Sequence, residues 1–182
     1  MFIADKRSKR IIILAHCILN QNSKLERLAM CYPGAVSEIA NEIVESGAGI
    51  LQMPCPEIIL MGLNRSQSGN LPSIESEKTR VGIQMSGKQS VDFCESLALQ
   101  IVYQIEEYQR NDFKVLGIIG VNCSPTCGVE TTWSDGCERE GRGVFLNVIF
   151  EILKKKGISI PIVGIKPDQI QKAMEIVKRL LN

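Results

Sequence analysis

The stretch Ile11-Ile12-Ile13-Leu14-Ala15-His16-Cys17 sets the reading of the whole chain. Five apolar residues run without alternation, which predicts a strand covered on both faces, as in a parallel sheet. Three further runs have the same character: Gly49–Met53, Val115–Val121 and Ile158–Gly164. Between and after them come four stretches with helical periodicity. Val36, Ile39, Ala40, Ile43 and Val44 mark the first, and Cys94, Leu97, Ala98, Ile101, Val102 and Ile105 the second. Val144, Phe145, Val148, Ile149 and Ile152 mark the third, and Ile170, Ala173, Met174, Val177, Leu180 and Leu181 the last. Gly47 and Gly157 follow helices as C-terminal caps, and Asp168 after Pro167 opens the last one. Alternating strand and helix predict an α/β fold: a single domain over 1–182 with a mostly parallel sheet flanked by helices, Rossmann-like and three-layered. The polar segment 61–90 interrupts the alternation and is expected to be a long loop covering the active site, a helix or strand hidden within it being the other reading.

Composition narrows the function. The chain has 182 residues, 45% hydrophobic and 23% charged, enough for a core without disulfide staples. Its 21 Lys+Arg against 20 Asp+Glu give no electrostatic case for nucleic acid or an anionic membrane. No apolar run reaches membrane-spanning length. The run Ile11–Leu19 after Lys6, Arg7, Lys9 and Arg10 mimics a signal peptide, but His16 and Cys17 interrupt it and no cleavage site follows. A cytoplasmic location is expected. No GxGxxG or GxxxxGK[ST] follows the first strand, which weakens a nucleotide-binding reading.

The seven cysteines are the unusual feature. Their odd number and scattered positions do not suggest a secreted disulfide framework, and no CxxC pair is present. Buried free thiols or a metal site built from distant loops remain. Cys17, Cys55, Cys123 and Cys127 all fall at carboxyl ends of predicted strands, the ligand-binding edge of an open α/β sheet. With strand order 2-1-3, the flanking tips start about 10 Å apart, a spread that a larger inorganic cluster spans with less distortion than one zinc ion. Prolines at 54 and 56 stiffen the backbone around Cys55, and Asn122-Cys123-Ser124-Pro125-Thr126-Cys127-Gly128 reads as a rigid turn. Glu57 and Ser124 stand close in sequence to candidate ligands and suit proton transfer or water activation.

Cys-Pro-Glu at 55–57, Ser-Pro-Thr-Cys-Gly at 124–128 and the cysteine at 17 resemble the thiouracil desulfurase family, formerly a domain of unknown function. Gly141-Arg142-Gly143-Val144 and the helix after it extend the likeness, which spans most of residues 11–165. The resemblance implies a [4Fe–4S] cluster held by Cys17, Cys55 and Cys127, with the fourth iron open to a thiocarbonyl sulfur. It also implies acid/base and substrate-activating roles for Glu57 and Ser124, and a small thiolated substrate. The chain departs from the family at His16, at Ile18–Lys24, at Leu60-Met61-Gly62 and at Thr126, so the resemblance supports cluster chemistry more than a particular substrate. The other class of function is a non-catalytic iron–sulfur or zinc sensor or carrier.

The remaining candidates each have a plainer role. Cys94 lies on an apolar helix stripe and is expected in the core; Cys31 and Cys137 are expected to be ordinary loop thiols. Cys123 is expected to be a buried strand-end thiol, the alternative being a cap on the fourth iron. His16, the single histidine, is expected to be a hydrogen-bonded structural residue; a catalytic or ligand-supporting role beside Cys17 is the alternative, against which stands the opposite facing of neighbours on a strand. Arg65, Asn20, Lys24 and Trp133 are candidates for substrate contact, with solvated loops or packing as the simpler account.

Overall fold

The computed structural model describes residues 5–25, 28–29, 31–63 and 73–182. Four strands, β1 (Arg10–Leu14), β2 (Gly49–Gln52), β3 (Lys114–Val121) and β6 (Ile162–Ile165), form one parallel sheet in the order β2-β1-β3-β6. The central pair, β1 and β3, is buried almost throughout. This is why their sequences are continuous apolar runs. The helices α2 (Ser37–Glu45) and α7 (Ile170–Leu181) pack together, as do α5 (Lys88–Arg110) and α6 (Val144–Lys155), and these pairs flank the sheet. Their periodic residues form the core: Ile39 and Ile43 on α2, Leu97, Ile101 and Ile105 on α5, Phe145 and Ile149 on α6, Val177 on α7. The chain is thus a mixed α/β domain with a Rossmann-like three-layer arrangement.

Three details differ from the sequence expectations. The fourth strand begins at Ile162 rather than Ile158. Pro161 has no N–H to donate; its carbonyl accepts from the Ile118 amide (2.9 Å), and laddered pairing starts after it. Within the segment 61–90, residues 64–72 lie outside the described residues, but 74–90 is not a loop. Helix α4 (Ile74–Ser86) fills most of it, and α5 starts at Lys88. Ser73 caps α4 by accepting from the Ser76 amide (3.1 Å), with Glu75 and Glu77 in the first turn. A hairpin, β4 (Thr131–Ser134) and β5 (Cys137–Glu140), was also not expected; it turns at Asp135-Gly136, both at positive φ. Among the described residues no helix is long and apolar enough to cross a membrane.

Candidate functional site

The four parallel strands end at the same edge of the sheet, β3 and β6 running two residues past β1 and β2. Leu14 pairs with Gln52 and Ile119, and Val121 with Ile165, so the loops that follow leave the same sheet edge. After β1 the chain enters a short helix, α1 (His16–Leu19), with Ala15 as its N-cap. Cys17 therefore lies in a helical turn rather than at a strand end. His16 and Cys17 both face the same cavity, contrary to the opposite-face expectation, which holds only on a strand. The His16 Nε2 stands 3.5 Å from Asn20 Nδ2. Asn20 serves this turn: its carbonyl accepts from the Ser23 hydroxyl (2.7 Å) and its side-chain oxygen from Asn22 (3.1 Å).

After β2 the prolines do what their fixed φ predicts. Cys55 is the N-cap of α3 (Pro56–Met61), Pro56 occupies the first turn, and Glu57 follows it. After β3 the chain turns sharply. Cys123 takes a left-handed conformation (φ 63), rare for a non-glycine residue. Its amide donates to the Thr131 carbonyl (3.1 Å) and hydroxyl (3.3 Å). Asn122 locks the turn: its Oδ1 accepts from the amides of Val129 (3.1 Å), Glu130 (3.2 Å) and Thr131 (3.4 Å), and its Nδ2 donates to Glu130 (2.7 Å). Glu130 in turn accepts from the Gly164 amide (3.1 Å), tying the loop to β6.

The Cys127 loop is held from several sides. Ser124 Oγ accepts from the amides of Thr126 (3.2 Å) and Cys127 (3.0 Å), so its turn-forming role is present, and its hydroxyl proton stays available to donate. The first amides of α6 donate to the loop: Val144 to Pro125 (3.0 Å) and Phe145 to Thr126 (3.0 Å). Two glycines permit this approach. A Cβ on Gly143 would lie 2.5 Å from the Thr126 carbonyl carbon, and one on Gly120 would lie 2.5 Å from the Cys127 oxygen. The Thr126 hydroxyl is buried and finds no hydrogen-bond partner among the described residues.

These loops enclose a cavity of about 510 Å³. Cys17, Cys55, Cys127, Glu57 and Ser124 all line it, so the residues singled out from the sequence come together. Burial pushes the Cys17 thiol up to about 11, with Cys55 and Glu57 adding to the shift and Lys24 opposing it. Burial also pushes Cys127 well above the usual thiol range, helped by Cys17, Cys55, Glu57 and Cys94. Cys94 is wholly buried on α5, as expected, and its thiol is raised to about 11 by burial first and then by Glu57. Among the described residues no three His, Cys, Asp or Glu side chains converge closely enough to hold a metal ion as they stand.

Sequence reasoning missed the opposite wall. Cys123 is not a buried strand-end thiol: it is half-buried, lines the cavity, and accepts from Lys78 Nζ at 3.4 Å. Lys78 comes from α4, which also contributes Val81, so part of the segment expected to cover the site forms a helical wall of it. Lys166, just past β6, pairs with Glu138 of β5 at 2.7 Å, and both line the cavity. Lys166 could have been found by the rule that exposed the cysteines, since it follows a parallel strand. Lys24 lines the cavity and donates to the Leu28 carbonyl (3.3 Å). Cys31 lines it too, while Cys137 opens β5 and is exposed. Trp133 packs outside it, donating to Thr79 (2.9 Å) beneath the Lys78 ammonium. Arg65 lies outside the described residues.

The chain is similar to the uncharacterized protein MJ0003 of Methanocaldococcus jannaschii, 29% identical over 154 residues that cover 85% of this chain and 84% of that one. No family model and no solved structure matches it.

Proposed function

We propose that the protein is an iron–sulfur-dependent desulfurase that removes sulfur from a small thiocarbonyl compound such as a thiolated pyrimidine. The observation that carries this reading is the meeting of Cys17, Cys55 and Cys127, from the segments that follow three separate strands, around one cavity that also holds Glu57 and Ser124. The donor set fits a [4Fe–4S] cluster. Its members are thiols, they share the cavity without closing on a point as a single zinc ion would require, and the orphaned Thr126 hydroxyl precedes one of them. Cys17, Cys55 and Cys127 would hold the cluster, and the cluster would supply a Lewis-acidic iron for the thiocarbonyl sulfur.

The chain's own residues supply the rest. The Glu57 carboxylate takes a proton from the water that attacks the thiocarbonyl carbon. The Ser124 hydroxyl, its oxygen already fixed by two amides, donates a hydrogen bond to the substrate's ring and so polarises it. Oxygen replaces sulfur at carbon, sulfur leaves as hydrosulfide, and no net oxidation occurs. The cavity has the volume of a small-molecule site, which favours catalysis over a closed carrier or sensor module. Free thiols and an oxygen-labile cofactor suit a reducing compartment, so the cytoplasm is the proposed setting.

The test is anaerobic reconstitution with iron and sulfide, followed by assay of sulfide released from thiouracil and related thioamides. Release that depends on cluster loading is expected. Release unchanged in Cys127→Ala overturns the assignment, and a brown protein that binds iron but releases no sulfide from any thioamide favours the carrier or sensor.

A further inference from the structure

We propose that Lys78 and Cys123 are a modification site, where dioxygen joins the lysine nitrogen to the cysteine sulfur through one oxygen atom. This inference stands independently of the desulfurase reading, because neither residue is among the three cysteines proposed to hold the cluster or the two groups proposed to act on the substrate.

The two groups are held face to face by different parts of the fold. Lys78 Nζ lies 3.4 Å from Cys123 Sγ across 45 residues of sequence. On the cysteine side, the left-handed backbone and the two bonds from its amide to Thr131 fix where the sulfur points. On the lysine side, the ammonium rests 4.8 Å from the centre of the Trp133 ring. The indole N–H of Trp133 bonds Thr79, the next residue along α4, so helix and ring move as one. No carboxylate among the described residues forms an ion pair with Lys78. Glu138 and Lys166 flank the sulfur from the hairpin and from the end of β6. Both reacting groups line the cavity, so a small oxidant reaches them.

In this geometry the amine, 3.4 Å from the sulfur, is placed to attack an oxygen adduct formed on it. Oxidation of an isolated thiol proceeds to sulfenic and then sulfinic acid. Here the amine captures the first adduct instead. One S–O and one N–O bond form, and the O–O bond of dioxygen breaks. The thiol loses its S–H hydrogen and the amine one N–H hydrogen, the ammonium's extra proton passes to solvent, and the second oxygen leaves as water. Sulfur and nitrogen together give up the four electrons that dioxygen takes. The product ties α4 covalently to the β3 loop and removes the Lys78 charge from the cavity wall.

The experiment uses the full chain purified without oxygen and split in two, with one half exposed to air. Both halves are digested with trypsin without reductant. In the aerated half, cleavage after Lys78 should be lost. A peptide pair containing Lys78 and Cys123 should appear, heavier than the sum of its parts by one oxygen and lighter by two hydrogens. The pair should be absent from the anaerobic half and should revert with dithiothreitol. Lys78→Met and Cys123→Ser should each abolish it, although the wild-type digest decides the matter even if a variant misfolds. Aerated protein in which Cys123 carries only sulfenic, sulfinic or sulfonic acid, or a disulfide, while Lys78 is cleaved normally, overturns the proposal.

Discussion

The cavity has a floor and a wall built on opposite electrostatic principles. On the floor, Cys17 and Cys127 are desolvated, and Cys55 and Glu57 add only negative charge, so both thiols are held in the neutral form. On the wall, charges meet in pairs: Lys166 with Glu138, and Lys78 against Cys123 and the Trp133 ring. The wall is already compensated; the floor is not. Thiolates on the floor require more positive charge than Lys24 alone brings to Cys17, which is what a metal cluster would supply. The two also differ in how they are held. Backbone hydrogen bonds and close glycine contacts hold the Cys127 loop, whereas side-chain ion pairs at partly exposed positions hold the wall.

If this contrast is right, changes to the backbone around the floor cost more than changes to the wall. Gly143→Ala should have the largest effect. The added Cβ meets backbone rather than a flexible side chain, so the Cys127 loop must shift; a loss of about 4 kcal/mol in chemical denaturation is expected, together with weaker iron binding. Next comes pH. The folded metal-free chain keeps Cys17 protonated up to about pH 11, above the ordinary thiol value of 9.0. This preference for the protonated form stabilises the fold fully below pH 9 and is lost as pH rises towards 11; the loss is on the order of 2–3 kcal/mol for this thiol. Denaturation midpoints that do not fall across that window would remove the floor half of the contrast. Asn122→Ala, which frees three loop amides, should cost about 2 kcal/mol. Lys166→Met should cost less than about 1 kcal/mol, and the difference from wild type should shrink with added salt. A Lys166 effect as large as that of Asn122 would show that the wall is not the softer side.

The contrast also explains what the sequence made legible. The runs from Ile11 and Val115 announce the sheet because both faces of β1 and β3 are covered, whereas the edge strand from Gly49 has no buried residue, and position in the loops after the strands then gathers Cys17, Cys55 and Cys127. The floor thus follows from local patterns plus one topological rule. The wall depends on long-range meetings. Lys78 and Cys123 are far apart in sequence, and α4 shows only Val81 and Met85 as fully buried apolar residues, too weak a stripe to stand out in a polar segment. The hairpin carried a usable signal in Asp135-Gly136, a common two-residue turn, but β5 is exposed at every residue and has no alternation to confirm it. His16 was misplaced because an apolar run does not show where a strand gives way to a helical turn.

The most direct test is the iron and acid-labile sulfide content of the anaerobically reconstituted chain, measured beside Cys17→Ser, Cys55→Ser and Cys127→Ser variants that retain the wild-type circular dichroism spectrum. About four irons and four sulfides per wild-type chain are predicted, with a large loss in each variant. A colourless wild-type protein, or variants that hold as much iron as the parent, would contradict the account.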